Sequence, residues 1–256
     1  MSAPLTLERR ERVAVLALDR PPLQILDLEL LAELERALER LADDPQLQLL
    51  LVAATGEKAF SAGVSVQDHT PDKIASMRAS FHGALRRLRA LDALTVALVD
   101  GPCLGGGMEL ACCCDLVFAT ERSRFGQPEI LLGCFAPVAA ALYPRRIGAG
   151  RTLDLLLSGR TFGAEEAERL GFVQARVADR AALAARAAQL EAVVLGQSAA
   201  VTRLTKRAVR AGEERPFLPA LAEAERLYLD ELAGSEDMAE GLAAFLAKRA
   251  PVWRHR

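Results

Sequence analysis

The chain has 256 residues, enough to bury a full apolar core as one large domain or as a domain with an appendage. Its net charge of −2, with 26% charged residues, carries no basic field of the kind that marks a nucleic-acid partner. No run approaches the roughly 20 apolar residues that span a bilayer, and Val13 to Leu18, bracketed by Arg12 and Asp19, is too short for a secretory leader, so the expectation is a cytoplasmic protein.

Glu11 to Leu18 alternates and then runs apolar, as a strand does. After the turn Arg20-Pro21-Pro22, Asp27 is a candidate cap for a helix with Leu28, Leu31, Leu34, Leu38 and Leu41 on one face. Leu47 to Ala54 and Thr95 to Val99 read as buried strands. Three glycines, Gly105 to Gly107, follow the second of these and open a helix from Met108 to Cys114. Leu116 to Ala119 predicts a further strand leading to Phe125. Helices follow at Arg151 to Leu157 and Ala164 to Leu170, then a short strand around Val173 to Val177. From Arg180 onward the pattern is helical: Ala182 to Leu195, Ala199 to Ala211, Pro216 to Leu232 and Asp237 to Lys248. Strands alternating with helices imply an α/β fold with crossover connections.

The glycine triplet carries the chemistry. Glycines let the backbone turn where side chains would collide, and they bring bare N–H groups close to a ligand. The first N–H groups of a helix lack internal partners, so such a terminus attracts a developing oxyanion. Glu109 falls in that first turn, and Glu129 arrives from a separate loop, Phe125-Gly126-Gln127-Pro128-Glu129-Ile130. Two carboxylates beside an oxyanion site suit acid–base chemistry next to a carbonyl. No Lys-Ser/Thr pair follows the glycines, which excludes a phosphate loop, and no serine sits between them, which excludes a nucleophile elbow. Of the five cysteines, Cys112, Cys113 and Cys114 point about 100° apart on a helix. They cannot share an ion, and with Cys103 and Cys134 they read as buried small apolar residues, so no metal is expected.

These motifs, taken together and in order, resemble the crotonase (enoyl-CoA hydratase/isomerase) superfamily over nearly the whole chain. The resemblance rests on Phe60-Ser61-Ala62-Gly63-Val64-Ser65-Val66, Leu104 to Leu110, Phe125 to Gly133, Leu157-Ser158-Gly159-Arg160 with Ala164-Glu165-Glu166-Ala167, and Glu240-Gly241 through Phe245 to Arg249. It implies an α/β spiral of ββα units over residues 1–195, holding the acyl-CoA site. A helical region, 196–256, would pack homotrimers, often paired as hexamers. The implied partner is an acyl-CoA thioester, with coenzyme A part of the substrate and no further cofactor. Glu109 and Glu129 match the two catalytic carboxylates of the hydratases, and the N–H groups of Val64 and Gly106 match the oxyanion donors. Coenzyme A contacts map onto Pro22, Leu23 and Gln24, onto Ala62 and Val64 to Gln67, onto Gly105, and onto Phe245 and Lys248, three apart and so on one helix face.

Two segments depart from ordinary enoyl-CoA hydratases. Ser65 replaces an acidic residue and leads into Val66-Gln67-Asp68-His69-Thr70-Pro71-Asp72. Cys134-Phe135-Ala136-Pro137 replaces a glycine-rich run, which puts Phe135 and Pro137 on the acyl pocket wall. Both segments are similar to cyclohexa-1,5-diene-1-carbonyl-CoA hydratases of anaerobic benzoyl-CoA degradation, whose substrate is a flat six-membered ring. Asp68 and His69 are candidates for a second acid–base pair. A short-chain enoyl-CoA hydratase of fatty-acid or amino-acid breakdown is the alternative within the family. A non-catalytic binding member of the fold is disfavoured by the retained glutamates.

Overall fold

The computed structural model describes residues 3–256. A two-residue turn at Glu11-Arg12 folds β1 (Leu5–Arg10) against β2 (Val13–Leu18), so the stretch expected as one strand is a turn entering the second. β2 then pairs in parallel with β3 (Leu49–Ala54), followed by β4 (Leu94–Val99), β6 (Leu116–Thr120) and β9 (Ala175–Val177), giving a six-stranded sheet. Parallel neighbours need crossover connections. α1 (Leu28–Ala42) supplies the first and α2 (Ile74–Ala90) the second.

Both faces of the sheet are covered, which is why its strands read as unbroken apolar runs. Successive residues of β3 alternate: Leu50 and Val52 join the main core with Leu31, Leu34 and Leu38 of α1. Leu49 and Leu51 face the other way, with Leu183, Ala187 and Val194 of α7 (Arg180–Leu195). Asp27 caps α1 as expected, its Oδ1 accepting from the Leu30 N–H at 2.8 Å.

A second sheet positions the site. β5 (Pro102–Leu104), β7 (Arg124–Gly126) and β8 (Thr161–Gly163) form it, with β5 and β7 parallel. The glycine triplet therefore leaves from β5, one strand later than the sequence suggested, and opens α3 (Gly106–Cys113). Every residue of α3 is buried, including Cys112 and Cys113, and all five cysteines are free thiols. Beyond the Glu129 loop come α4 (Pro137–Ile147), α5 (Ala149–Ser158) and α6 (Ala164–Leu170).

The C-terminal region is helical as expected: α8 (Ala199–Glu214), α9 (Phe217–Arg226) and α10 (Glu236–Leu246), with a π-turn over Leu227–Leu232 ending the stretch read as one long helix. Asp115, partly buried, anchors α8, bonding Lys206 Nζ at 2.7 Å and Arg210 Nη2 at 2.6 Å. The same carboxylate accepts from the Thr95 backbone N–H at 2.7 Å, tying the helix to the mouth of β4.

Candidate active site

β5 is the organising strand of the site. On one side Leu104 pairs with Gly126, and the Gly105 N–H donates to the Gly126 carbonyl at 2.9 Å. The Glu109 and Glu129 segments therefore leave the same end of one parallel pair. On the other side Ser61 bridges Cys103, and the Leu104 N–H donates to the Ser61 carbonyl at 2.9 Å. Strand pairing thus brings three motifs separated in sequence into one place.

Tight backbone approach explains the glycines. Gly63 and Gly105 have φ of +104° and +52°, the region that L side chains avoid. A β-carbon on Gly106 would lie 2.6 Å from Val64 Cγ2 and 3.3 Å from Val64 N, while one on Gly63 would lie 3.3 Å from Gly106 N. The Val64 and Gly106 N–H groups are therefore close neighbours. Ser65 N and Leu26 N make the bridge between residues 26 and 64, which leaves Val64 N outside it. Gly106 is the first residue of α3, so its N–H has no partner within the helix. Among the described residues neither N–H donates to a protein acceptor. Such a pair suits an incoming oxyanion.

The carboxylates occupy different environments. Glu109 is buried at 3% exposure, and its Oε1 accepts from the Ala139 N–H at 2.8 Å, the third position of α4. Ala136, the residue at the cap of α4, has no capping side chain, so Glu109 serves as the cap from another element. Burial raises the Glu109 pKa to about 7; the Ala139 N–H opposes that, and the charge of Glu129 adds to it. Glu129 is half-buried and lies against Gly105, where an added β-carbon would come 2.9 Å from its Oε1. Burial also raises its pKa, partly offset by His69.

Gln127 is a site residue that the sequence reading passed over, although it sits inside the quoted motif. It is fully enclosed. With its amide oxygen accepting from the Tyr143 hydroxyl at 2.6 Å, its NH2 donates to both Glu129 oxygens, at 3.0 and 3.1 Å. Phe81 was also missed; its ring lies 3.1 Å from where a Gly106 β-carbon would be.

Several expected contacts need correction. Gln24 is completely buried, and its side chain bonds the Arg20 N–H and the Thr55 carbonyl, so the side chain holds its own loop. Pro22 and Leu23 beside it are exposed. Phe245 and Lys248 do not share a helix face. α10 stops at Leu246, and Lys248 takes a φ of +52°. Its N–H donates to Phe245 O while Arg249 N donates to Ala244 O, the double bond of a Schellman ending. Asp68 pairs with Lys73 at 3.6 Å, and among the described residues no hydrogen bond joins it to His69. His69 bonds the Ser65 carbonyl through Nδ1 at 2.8 Å and bears on Glu129. Val66 and Gln67 are exposed, Ala62 and Ser65 half-buried. Pro137 starts α4, while Phe135 is 67% exposed on this chain.

One buried and one half-buried carboxylate beside paired, unpartnered N–H groups suit chemistry on a polarised carbonyl. A family model described as enoyl-CoA hydratase/isomerase matches residues 8–256, and the chain belongs to that family. It is 38% identical to the cyclohexa-1,5-dienecarbonyl-CoA hydratase of Thauera aromatica, covering 100% of this chain and 98% of that protein. It is 32% identical to the crotonyl-CoA hydratase of Syntrophomonas wolfei, with 96% of this chain and 95% of that protein covered. An enoyl-CoA hydratase structure from Bacillus anthracis superposes with a TM-score of 0.93 at 25% identity, covering 99% and 100% of the two chains. The fold is the α/β crotonase fold, and the protein is an acyl-CoA hydratase.

Proposed function

We propose that this hydratase adds water to a cyclic conjugated dienoyl-CoA, converting cyclohexa-1,5-diene-1-carbonyl-CoA to 6-hydroxycyclohex-1-ene-1-carbonyl-CoA in anaerobic aromatic degradation. The observation that carries the chemistry is the pairing of Glu109 and Glu129 with the free N–H groups of Val64 and Gly106. The water oxygen bonds to the carbon β to the thioester, and one carboxylate takes its proton. Charge moves onto the thioester oxygen, where the two N–H groups stabilise it by roughly 3 kcal/mol each. The other carboxyl delivers a proton to the far end of the diene, leaving one double bond. Nothing beyond the substrate's own coenzyme A is required.

Identity over full length to the Thauera aromatica protein supports the cyclic substrate, as do Ser65 and the Cys134-Phe135-Ala136-Pro137 segment. The exposure of Phe135 and the likeness to a crotonyl-CoA hydratase favour a second reading, a general short-chain enoyl-CoA hydratase. Pro22, Leu23, Val66 and Gln67, exposed around the site, are proposed to contact coenzyme A together with Phe245 and Lys248. Residues 196–256 are proposed to pack a homotrimer or a dimer of trimers; Phe217, Leu218, Leu229 and Leu246 expose apolar surface there. No helix among the described residues is long and apolar enough to cross a membrane, and a cytoplasmic location is part of the proposal.

Steady-state turnover separates the two substrate readings. The cyclic dienoyl-CoA is expected to exceed crotonyl-CoA in kcat/KM by more than about tenfold. Replacing Phe135-Ala136-Pro137 with glycines should narrow that ratio by slowing the cyclic substrate. Equal or better turnover of crotonyl-CoA by the native enzyme selects the short-chain reading.

A further inference from the structure

A cavity of about 500 Å3 lies between α2 and α4, directly behind the site. Its floor is apolar, with Leu85, Val138 and Leu142. Its lining adjoins the carboxylate site in sequence at two points. Val138 precedes the residue whose N–H holds Glu109, and Phe81, one turn before Leu85, packs over Gly106.

The charge around this cavity is unbalanced. Arg86, Arg89 and Arg145 line it against a single carboxylate, Glu214. Among the described residues Arg86 has no ion-pair or hydrogen-bond partner, and Arg145 donates only to the Glu213 carbonyl, at 2.9 Å. Arg89 pairs through Nη2 with Glu213 at 3.1 Å and with Glu214 at 3.8 Å, and leaves its buried Nη1 without an acceptor. Glu213 is itself shared with Arg210 at 2.7 Å, so it does not neutralise the cluster. His82, also on the wall, is held below its ordinary pKa by burial and by the cations Arg86 and Arg78. Arg89 thus keeps one buried N–H group without an acceptor, and the exposed Arg86 and Arg145 line the same concavity without a carboxylate partner; together they suit a planar carboxylate.

We propose that this cavity binds a carboxylate, supplied either by the end of the acyl group remote from the thioester or by a small anion from solution. The acyl source rests on the hydratase activity above but calls for a substrate other than the cyclic dienoyl-CoA, which bears no second carboxylate; the solution source depends on neither. Two arms distinguish them. In the first, kcat/KM is compared for but-2-enoyl-CoA and for the same thioester bearing a terminal carboxylate. With the acyl source, the carboxylated substrate leads by about tenfold in the native enzyme, chiefly through KM. The lead collapses toward unity in Arg86→Gln/Arg145→Gln and shrinks in high salt. In the second, glutarate is titrated calorimetrically into the native enzyme and the double variant. Heat with the native enzyme alone, without a substrate preference, assigns the carboxylate to solution. If neither thioester is hydrated, the hydratase reading fails and glutarate alone decides the cavity. No preference and no heat overturn the proposal. Both substituted residues are exposed, and a matching melting curve verifies folding; should the double variant melt early, Arg86→Gln is used alone.

Discussion

Glu109 sits where burial and a helix terminus pull in opposite directions. The Ala139 N–H at the start of α4 favours the carboxylate, but burial wins and lifts the pKa to about 7. One carboxyl of the coupled pair can therefore hold a proton at neutral pH while the other acts as base. Glu109→Gln and Glu129→Gln should each reduce turnover by roughly 100- to 10,000-fold. Glu109→Gln should also erase a limb near pH 7 from the kcat/KM profile, and a limb that survives would remove Glu109 from proton transfer. The stability effect has the opposite sign. A carboxyl whose folded pKa is raised favours folding at low pH, and that contribution disappears as pH rises from the ordinary carboxylate range through about 7. In thermal melts the inactive Glu109→Gln should gain on the parent between pH 5 and pH 8, by up to about 3 kcal/mol.

At the scale of elements, β5 fixes the site by holding neighbours on both sides, and the glycines set how close they come. A β-carbon on Gly107 would lie 2.6 Å from the Ser61 carbonyl, so Gly107→Ala should force the two segments apart and lower the melting temperature. Gly106→Pro deletes the N–H itself. Its expected loss in kcat/KM exceeds roughly 2.7 kcal/mol even where circular dichroism shows a native fold; an active, folded Gly106→Pro enzyme would falsify the oxyanion role. The helix caps obey local rules that a sequence displays: Asp27 before α1 and the glycine triplet before α3 were both legible. The Lys248 ending was not, because φ of +52° usually calls for glycine. α4 was hidden by Pro144 within it and by a cap borrowed from Glu109. α2 begins after Lys73, which supplies no capping side chain, and this concealed its start.

Over the whole molecule, sheet periodicity was readable because both faces of the large sheet are buried. The small sheet was not, since its strands of three residues are too short to show a period. Glu109 and Glu129 stand in contiguous motifs that a sequence displays, whereas the bonding of Gln24 and of the Gln127–Tyr143 pair depends on tertiary placement. The junction between the spiral and α8 depends on Asp115, Lys206 and Arg210. Burial opposes the Asp115 charge, but Lys206 and Arg210 hold its pKa below the ordinary carboxylate value. Asp115→Ala leaves two cations nearly enclosed, at 8% and 16% side-chain exposure, and should cost about 3 to 5 kcal/mol. Limited proteolysis should then cut first near α8. Unchanged cleavage and stability would remove the anchor role.

α4 has one further consequence for the chemistry. Its Ala139 N–H holds Glu109, and its Tyr143 hydroxyl, through Gln127, holds Glu129. The two carboxylates are thus both tied to a single helix. Thermal travel of α4 as a rigid rod shifts both by the same amount and leaves the gap between them unchanged. A change in the rod's pitch between residues 139 and 143 would act on both hydrogen bonds at once, one helical turn apart.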